Sequence, residues 1–319
     1  MWIPHPVHEQ ALENLSSLAH VALGYGPNKV EFGAVASKVE GILLRTARVT
    51  AEQIDAAPLL KIIARHGVGT DTVDVRAATA AGVVVTNTPQ ANTVAVAEHA
   101  IALLLALRRN LISADRANQA GSSSNSRSQL TGRELRGSTL GLVGFGRIAA
   151  EVARIAASGF GMNVIAFDPG LTSEEIQRRG ARPVSFEDLL QDSDALSIHV
   201  PLIPQTRHLI GESQMAKMKQ GSVIINTARG GVVDDDALLN SLNLNHLGGA
   251  GLDVAEVEPL PDGHPLLARC DVIITPHIGG QTEESLIRVA LEAADYICQV
   301  LRGEFPSAVV NQLSQLRDS

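Results

Sequence analysis

The chain has 319 residues, enough for about two domains at the usual ~150 residues each. Apolar residues make up 45% and charged residues 19%, a globular balance that excludes a disordered chain. The net charge of −8 argues against a general nucleic-acid or anionic-membrane surface, so an anionic ligand has to be met by a local cluster of cations.

In chain order, Met1 to Gln10 is polar and contains prolines, unlike a signal peptide. Short apolar, β-branched runs follow at Gly41–Leu44, Leu60–Ala64 and Val83–Thr86. A long helical stretch is predicted from Thr93 to Asn118. Its apolar part, Val94 to Leu107, is interrupted by Glu98 and His99 and falls short of the ~20 residues of a membrane span, so it reads as a buried helix. Gly121–Ser128 is a low-complexity serine-rich stretch, expected to be a surface loop. Further strands are predicted at Thr139–Val143, Val164–Phe167, Ala195–His199, Ser222–Asn226, Gly249–Leu252 and Val272–Thr275, and a second long helix from Thr282 to Leu301. Most of these strands are continuously apolar, the pattern of strands covered on both faces. Their alternation with Ala/Leu-rich helices predicts doubly wound parallel α/β architecture. Cys270 and Cys298 are too few for a disulfide framework or a metal cage, and read as buried, reduced thiols of a cytoplasmic protein.

Gly144-Phe-Gly146-Arg-Ile-Ala149 follows the strand Leu140–Val143 and opens an Ala-rich helix. This is G-x-G-x-x-A in the strand–turn–helix context it requires. The first glycine permits the turn, the second lets backbone approach a pyrophosphate, and the third position packs helix on strand. The helix N-terminus supplies N–H groups and positive partial charge. Asp168 lies about 20 residues further on, at the end of Val164–Phe167, where it can accept hydrogen bonds from ribose hydroxyls. It would repel a 2′-phosphate, and Pro169-Gly170 brings no cation, so NAD is expected rather than NADP.

Three later segments sit at the carboxyl ends of predicted strands, where open α/β sheets bind ligands. They carry Arg229 in Asn226-Thr-Ala-Arg-Gly-Gly, Glu258 after Leu252-Asp253-Val, and His277 in Pro276-His-Ile-Gly-Gly280. Each alone also fits an ordinary surface or turn residue. Together, downstream of a dinucleotide cradle, they fit hydride transfer to a 2-oxo acid. Arginine offers a planar fork for the carboxylate. Histidine is a proton donor suited to neutral pH. A neighbouring carboxylate would fix the ring tautomer.

These segments resemble the D-isomer-specific 2-hydroxyacid dehydrogenases. The motifs are Arg65-His-Gly-Val-Gly-Thr-Asp71, Gly144-Phe-Gly-Arg-Ile, His199-Val-Pro-Leu with Thr206, Asn226-Thr-Ala-Arg-Gly-Gly, Leu252-Asp-Val through Glu258-Pro, and Pro276-His-Ile-Gly-Gly. The resemblance runs from about Gly41 to Asn311. It implies a Rossmann-type NAD domain (98–281) inserted into a flavodoxin-like substrate domain (1–97 and 282–319), commonly in a homodimer. It maps a catalytic triad to Arg229, Glu258 and His277. Cofactor contacts map to Gly144, Gly146, Arg147, Ile148, Asp168, Val200, Thr206, Thr227, Ala228, Asp253 and Gly280. His199 and Thr206 are expected to shape the cofactor loop. Val68 and Gly69 are expected to turn backbone N–H groups to the substrate carboxylate.

Arg45 matches an arginine that binds the distal phosphate in the phosphoglycerate dehydrogenase branch, and Arg65 ends the next strand. The resemblance therefore favours 3-phosphoglycerate and its 2-oxo partner over glyoxylate, hydroxypyruvate, sulfolactate or phosphite. Both arginines could instead pair with acids of their own domain. Thr72 stands where the family often has Asn, and Gly121-Ser-Ser where it usually has Gly-Lys-Trp. The sequence stops soon after Asn311, so no regulatory domain and no serine feedback is expected. A reading of another class, an NADH-sensing corepressor-like protein, would need a peptide-binding surface that no motif here supplies.

Overall fold

The computed structural model describes residues 1–121 and 128–313. The chain divides into two compact units, one of Met1–Asn92 with Gln281–Ser319 and one of Thr93–Gly280. The first boundary precedes the helix Thr93–Arg108, which stays whole in the second unit.

The first unit holds strands β1 (Trp2–Ile3), β2 (Ala22–Leu23), β3 (Gly41–Leu44), β4 (Ile62–Arg65) and β5 (Val84–Thr86). They form a parallel sheet in the order β2-β1-β3-β4-β5, the flavodoxin-like order, whose switch point lies between β1 and β3. The second unit holds β6 (Thr139–Val143), β7 (Asn163–Phe167), β8 (Arg182–Pro183), β9 (Ala195–Ile198), β10 (Val223–Asn226), β11 (Gly249–Leu252) and β12 (Val272–Ile274). Their order, β12-β11-β10-β9-β6-β7-β8, is the Rossmann order extended by one strand, with the switch point between β6 and β9.

Both sheets are apolar on two faces because successive side chains point to opposite sides. In β6, Leu140 and Leu142 enter one core cluster and Val143 the other. In β4, Ile62 and Ala64 face one cluster and Ile63 the other. With few aromatics, helices approach through alanine. Ala149, Val152, Ala153 and Ala156 form the buried stripe of the helix Arg147–Phe160, at the spacing of one helical face. That helix ends at Gly161 in the left-handed region (φ +63°), as helices commonly do.

Two sequence expectations are corrected. The stretch Thr93–Asn118 is two helices, Thr93–Arg108 and Leu111–Gln119, because Asn110 turns to φ +51°. Cys298 is buried but Cys270 is exposed, outside the start of β12. Burial pushes the Cys298 thiol up. The two-residue strands β1, β2 and β8 carry no periodicity a sequence reading could find. Residues 122–127 of the serine-rich stretch lie outside the described residues. No helix among the described residues is long and apolar enough to cross a membrane.

Candidate active site

In the second unit, the loops that leave β6, β7, β9, β10, β11 and β12 all emerge at the carboxyl edge of one parallel sheet. Gly144 follows β6 with φ +83°, and a Cβ there would lie 2.7 Å from Val200 Cγ1 and 3.1 Å from the His199 carbonyl. The β6 turn therefore presses against the loop after β9, at the switch point. Gly146 caps the helix Arg147–Phe160 without a side-chain cap, and a Cβ there would meet nothing within 4 Å. Ala149 is fully buried, as the third position of the motif requires.

Asp168, just past β7, joins this turn. Its Oδ2 accepts from Phe145 N–H at 2.7 Å and its Oδ1 from Gly170 N–H at 2.9 Å. Each oxygen keeps a lone pair for a further donor. Arg179 Nη1 donates to the Phe145 carbonyl at 3.0 Å, so a guanidinium does stand at this turn, contrary to the expectation from Pro169-Gly170 alone. It comes from the end of a different helix, which the local sequence does not reveal.

His199 is held by Ser197, with Oγ···Nε2 at 2.9 Å, and burial pushes its pKa down to about 4. It is a neutral structural histidine under the cradle. Thr206 Oγ1 donates to the Pro201 carbonyl at 2.6 Å and accepts from Ile203 N–H at 2.9 Å, which folds the loop that carries Val200.

At the end of β10, Asn226 organises the loop that presents Arg229. Its Oδ1 accepts from Ala228 N–H at 3.0 Å and its Nδ2 donates to the Arg229 carbonyl at 2.9 Å. Arg229 Nη1 also donates to the Ala228 carbonyl at 2.6 Å. Thr227 is buried, and its Oγ1 has no hydrogen-bond partner among the described residues. A Cβ on Gly230 would overlap the Ala255 carbonyl, so glycine there lets the Arg229 loop touch the loop that carries Glu258.

The Glu258 loop is braced by residues that sequence reasoning missed. Glu256 Oε1 accepts from Arg207 Nη2 and His208 Nε2, both at 2.8 Å. Glu256 N–H donates to Asp235 Oδ2 at 3.2 Å. Glu258 Oε1 accepts from Ala255 N–H at 3.3 Å. Its Oε2 lies 2.8 Å from His277 Nδ1. The carboxylate thus engages Nδ1 and not Nε2.

Asp253 is almost fully buried, and both its oxygens face the turn that carries His277. Oδ1 accepts from Thr275 Oγ1 at 2.6 Å and Ile278 N–H at 2.8 Å, and Oδ2 accepts from Gly279 N–H at 2.7 Å. Burial alone would raise its pKa, but these donors and His99 outweigh it and hold the carboxyl below the ordinary aspartate value.

The first unit places Arg45 just past β3, beside the sheet's switch point. Its Nη2 donates to Gln281 Oε1 at 2.9 Å and its Nη1 to the Pro6 carbonyl at 3.3 Å. Next to it, His5 from the loop after β1 meets Thr46 Oγ1 at 3.2 Å. Arg65 ends β4, with Nη1 donating to the His66 carbonyl at 2.6 Å. His66 is pushed down to about 4 by burial, with Arg45 and then Arg65 adding like charge. Asn87 and Thr88 brace the following loop through the Val68 carbonyl and Gly67 N–H. Among the described residues, the N–H groups of Val68 and Gly69 donate to no partner.

The fold and the glycine turn define a dinucleotide-binding α/β protein. The donor set fits the cofactor: an open helix N-terminus at Gly146, an acid with free lone pairs at Asp168, and an orphaned buried hydroxyl at Thr227. Residues 101–279 match the model of the D-isomer specific 2-hydroxyacid dehydrogenase NAD binding domain. The chain is 40% identical over 303 residues to a D-3-phosphoglycerate dehydrogenase of Archaeoglobus fulgidus, covering 94% of this chain and 57% of that protein. It thus spans little more than half the length of that relative. It is 41% identical to a glyoxylate reductase of Korarchaeum cryptofilum, covering 85% of this chain and 82% of that one. The solved D-lactate dehydrogenase of Aquifex aeolicus with NAD and lactic acid superposes with a TM-score of 0.86 at 31% identity, covering 98% of this chain and 99% of that one. The chain belongs to the D-isomer specific 2-hydroxyacid dehydrogenase family, and its second unit carries the family's NAD-binding domain.

Proposed function

We propose that this protein transfers hydride between NAD and a D-2-hydroxy acid or its 2-oxo partner. The observation that carries this reading is the 2.8 Å pair of His277 Nδ1 and Glu258 Oε2 on the same sheet edge as the dinucleotide cradle. The bound nicotinamide supplies the hydride acceptor or donor. In oxidation, neutral His277 takes the hydroxyl proton at Nε2; in reduction it returns it. Glu258 keeps the ring in that tautomer and stabilises the imidazolium. Arg229 grips the substrate carboxylate and offsets charge developing on the carbonyl oxygen. Gly144, Gly146, Arg147 and Ile148 cradle the pyrophosphate, and Asp168 holds the ribose. Val200, Thr206, Thr227, Ala228 and Gly280 line the remainder of the cofactor site. The donors of Val68 and Gly69 serve the substrate carboxylate.

The substrate is proposed to carry a second anion, as 3-phosphoglycerate does. Support comes from Arg45 and Arg65, whose charges act on the same buried His66, and from the position of Arg45 beside a switch point. Neither described partner of Arg45 is a carboxylate. The glyoxylate reductase relative favours a second reading, a 2-oxo acid without a distal anion. The test is NADH oxidation across 2-oxo acids with and without a phosphate, by wild type and Arg45→Ala. Loss of at least ~10-fold in kcat/KM, about 1.4 kcal/mol, is expected for the phosphorylated substrate alone. Equal loss on glyoxylate would reject the distal-anion role. Tight NADH binding without turnover of any 2-oxo acid would favour a sensor.

A further inference from the structure

His277 is a non-glycine residue at φ +55°, a left-handed conformation that persists only where its surroundings impose it. Its own N–H donates to the carbonyls of Asp253 and Thr275, both at 2.9 Å. The next two N–H groups, of Ile278 and Gly279, end on the two oxygens of Asp253. The turn is therefore built around one buried carboxylate.

That carboxylate has two more donors, the Thr275 hydroxyl and His99. His99 Nε2 lies 2.9 Å from Thr275 Oγ1 and 3.3 Å from Asp253 Oδ1. The hydroxyl hydrogen of Thr275 is committed to Asp253 Oδ1, at 2.6 Å. Thr275 Oγ1 can then only accept from His99, so Nε2 of His99 carries the proton and is shared between hydroxyl and carboxylate. His99 sits on the helix Thr93–Arg108, among Val96, Ala97, Ala100 and Leu103, all buried. A histidine on this largely apolar helix has its ring nitrogen at the two polar side chains, Thr275 and Asp253, that meet at the turn.

We propose that His99 is a positioning residue for His277, acting through Thr275 and Asp253 to fix the left-handed turn that aims the catalytic ring at Glu258. The claim rests on the reading of His277 as the proton-transfer group. It gives Asp253 a part in the protein's own turn, while Oδ2, with Gly279 N–H as its one described donor, keeps a lone pair for a further partner. Displacement of a reacting group by about 1 Å can cost ~10²-fold in rate, so a modest relaxation of this turn has a large effect.

The test compares wild type with His99→Ala and His99→Gln, whose amide N–H can reach Thr275 Oγ1. Crystal structures of the three proteins report the turn, and steady-state kinetics with NADH report the consequence. In His99→Ala the 275–279 turn is expected to relax and the His277–Glu258 contact to open. The kcat should fall by ~10- to 100-fold, while KM and NADH affinity stay within about threefold. His99→Gln should restore the turn and most of kcat. An unchanged turn in His99→Ala overturns the proposal whatever the rate does, as does a glutamine variant no better than alanine. Should the alanine variant fail to fold, the glutamine variant decides alone: a wild-type turn and near wild-type kcat support the proposal, and a displaced turn overturns it. Absence of wild-type turnover would reject the proton-transfer reading and leave the turn geometry to decide the role of His99.

Discussion

Replacing Gly144 with alanine puts a methyl group at φ +83° and 2.7 Å from Val200 Cγ1. The left-handed conformation costs about 1–2 kcal/mol for an L-residue. Crowding against the His199–Val200 loop adds about 1–2 kcal/mol more. For a domain of this size each kcal/mol lowers Tm by about 2–4 °C, so a fall of roughly 5–15 °C is expected. Gly146→Ala is the informative partner. Its φ is −74° and no atom lies within 4 Å of the new methyl, so the fold loses only the N-cap preference of glycine, up to about 1 kcal/mol. The same methyl stands where backbone must approach the pyrophosphate, and NADH affinity should weaken by at least ~10-fold. Differential scanning calorimetry and NADH fluorescence titration measure the two effects. Wild-type NADH affinity in Gly146→Ala would refute the placement of the pyrophosphate in this turn.

Asp168→Asn keeps an acceptor for Phe145 N–H but removes the charge that repels a 2′-phosphate. The ratio of NADPH to NADH affinity should rise, and an unchanged ratio would remove Asp168 from the ribose site. Stability should depend on pH below neutrality because His66 and His199 have folded pKa values of about 4. Unfolded, each binds its proton near 6.5, so the unfolded state holds more protons and stability is lost as pH falls from about 6.5 toward 4. The loss is at most roughly 3 kcal/mol per histidine, and urea denaturation at stepped pH should show a shallower fall for His199→Gln. A flat profile over that window would contradict the burial argument.

The two sheets and the candidate reacting residues were legible because they are encoded in contiguous sequence. Apolar runs marked β3 to β7 and β9 to β12, and unusual residue types at strand ends marked Arg229, Glu258 and His277. The bracing residues were not legible, since they act across long sequence separations. His99 reads only as a polar break in an apolar run, yet it bonds Thr275, 176 positions away. Glu256 looks like a solvated loop acid until Arg207 and His208 close on it. The resemblance gives Asp253 to the cofactor site but says nothing of its hydrogen bonds to the 275–279 turn, which join residues more than 20 positions apart. Asn110 gave no warning of a helix break, lacking the glycine or proline that usually signals one. The one available signal for His99 was a titratable residue on the buried stripe of a helix, a position that demands a polar partner.

The central claim, proton transfer by His277 during hydride transfer, is tested most directly by NADH oxidation with the best 2-oxo acid found for the wild type. His277→Ala should bind NADH normally and lose ~10²- to 10⁴-fold in kcat. Full activity in that variant would contradict the account.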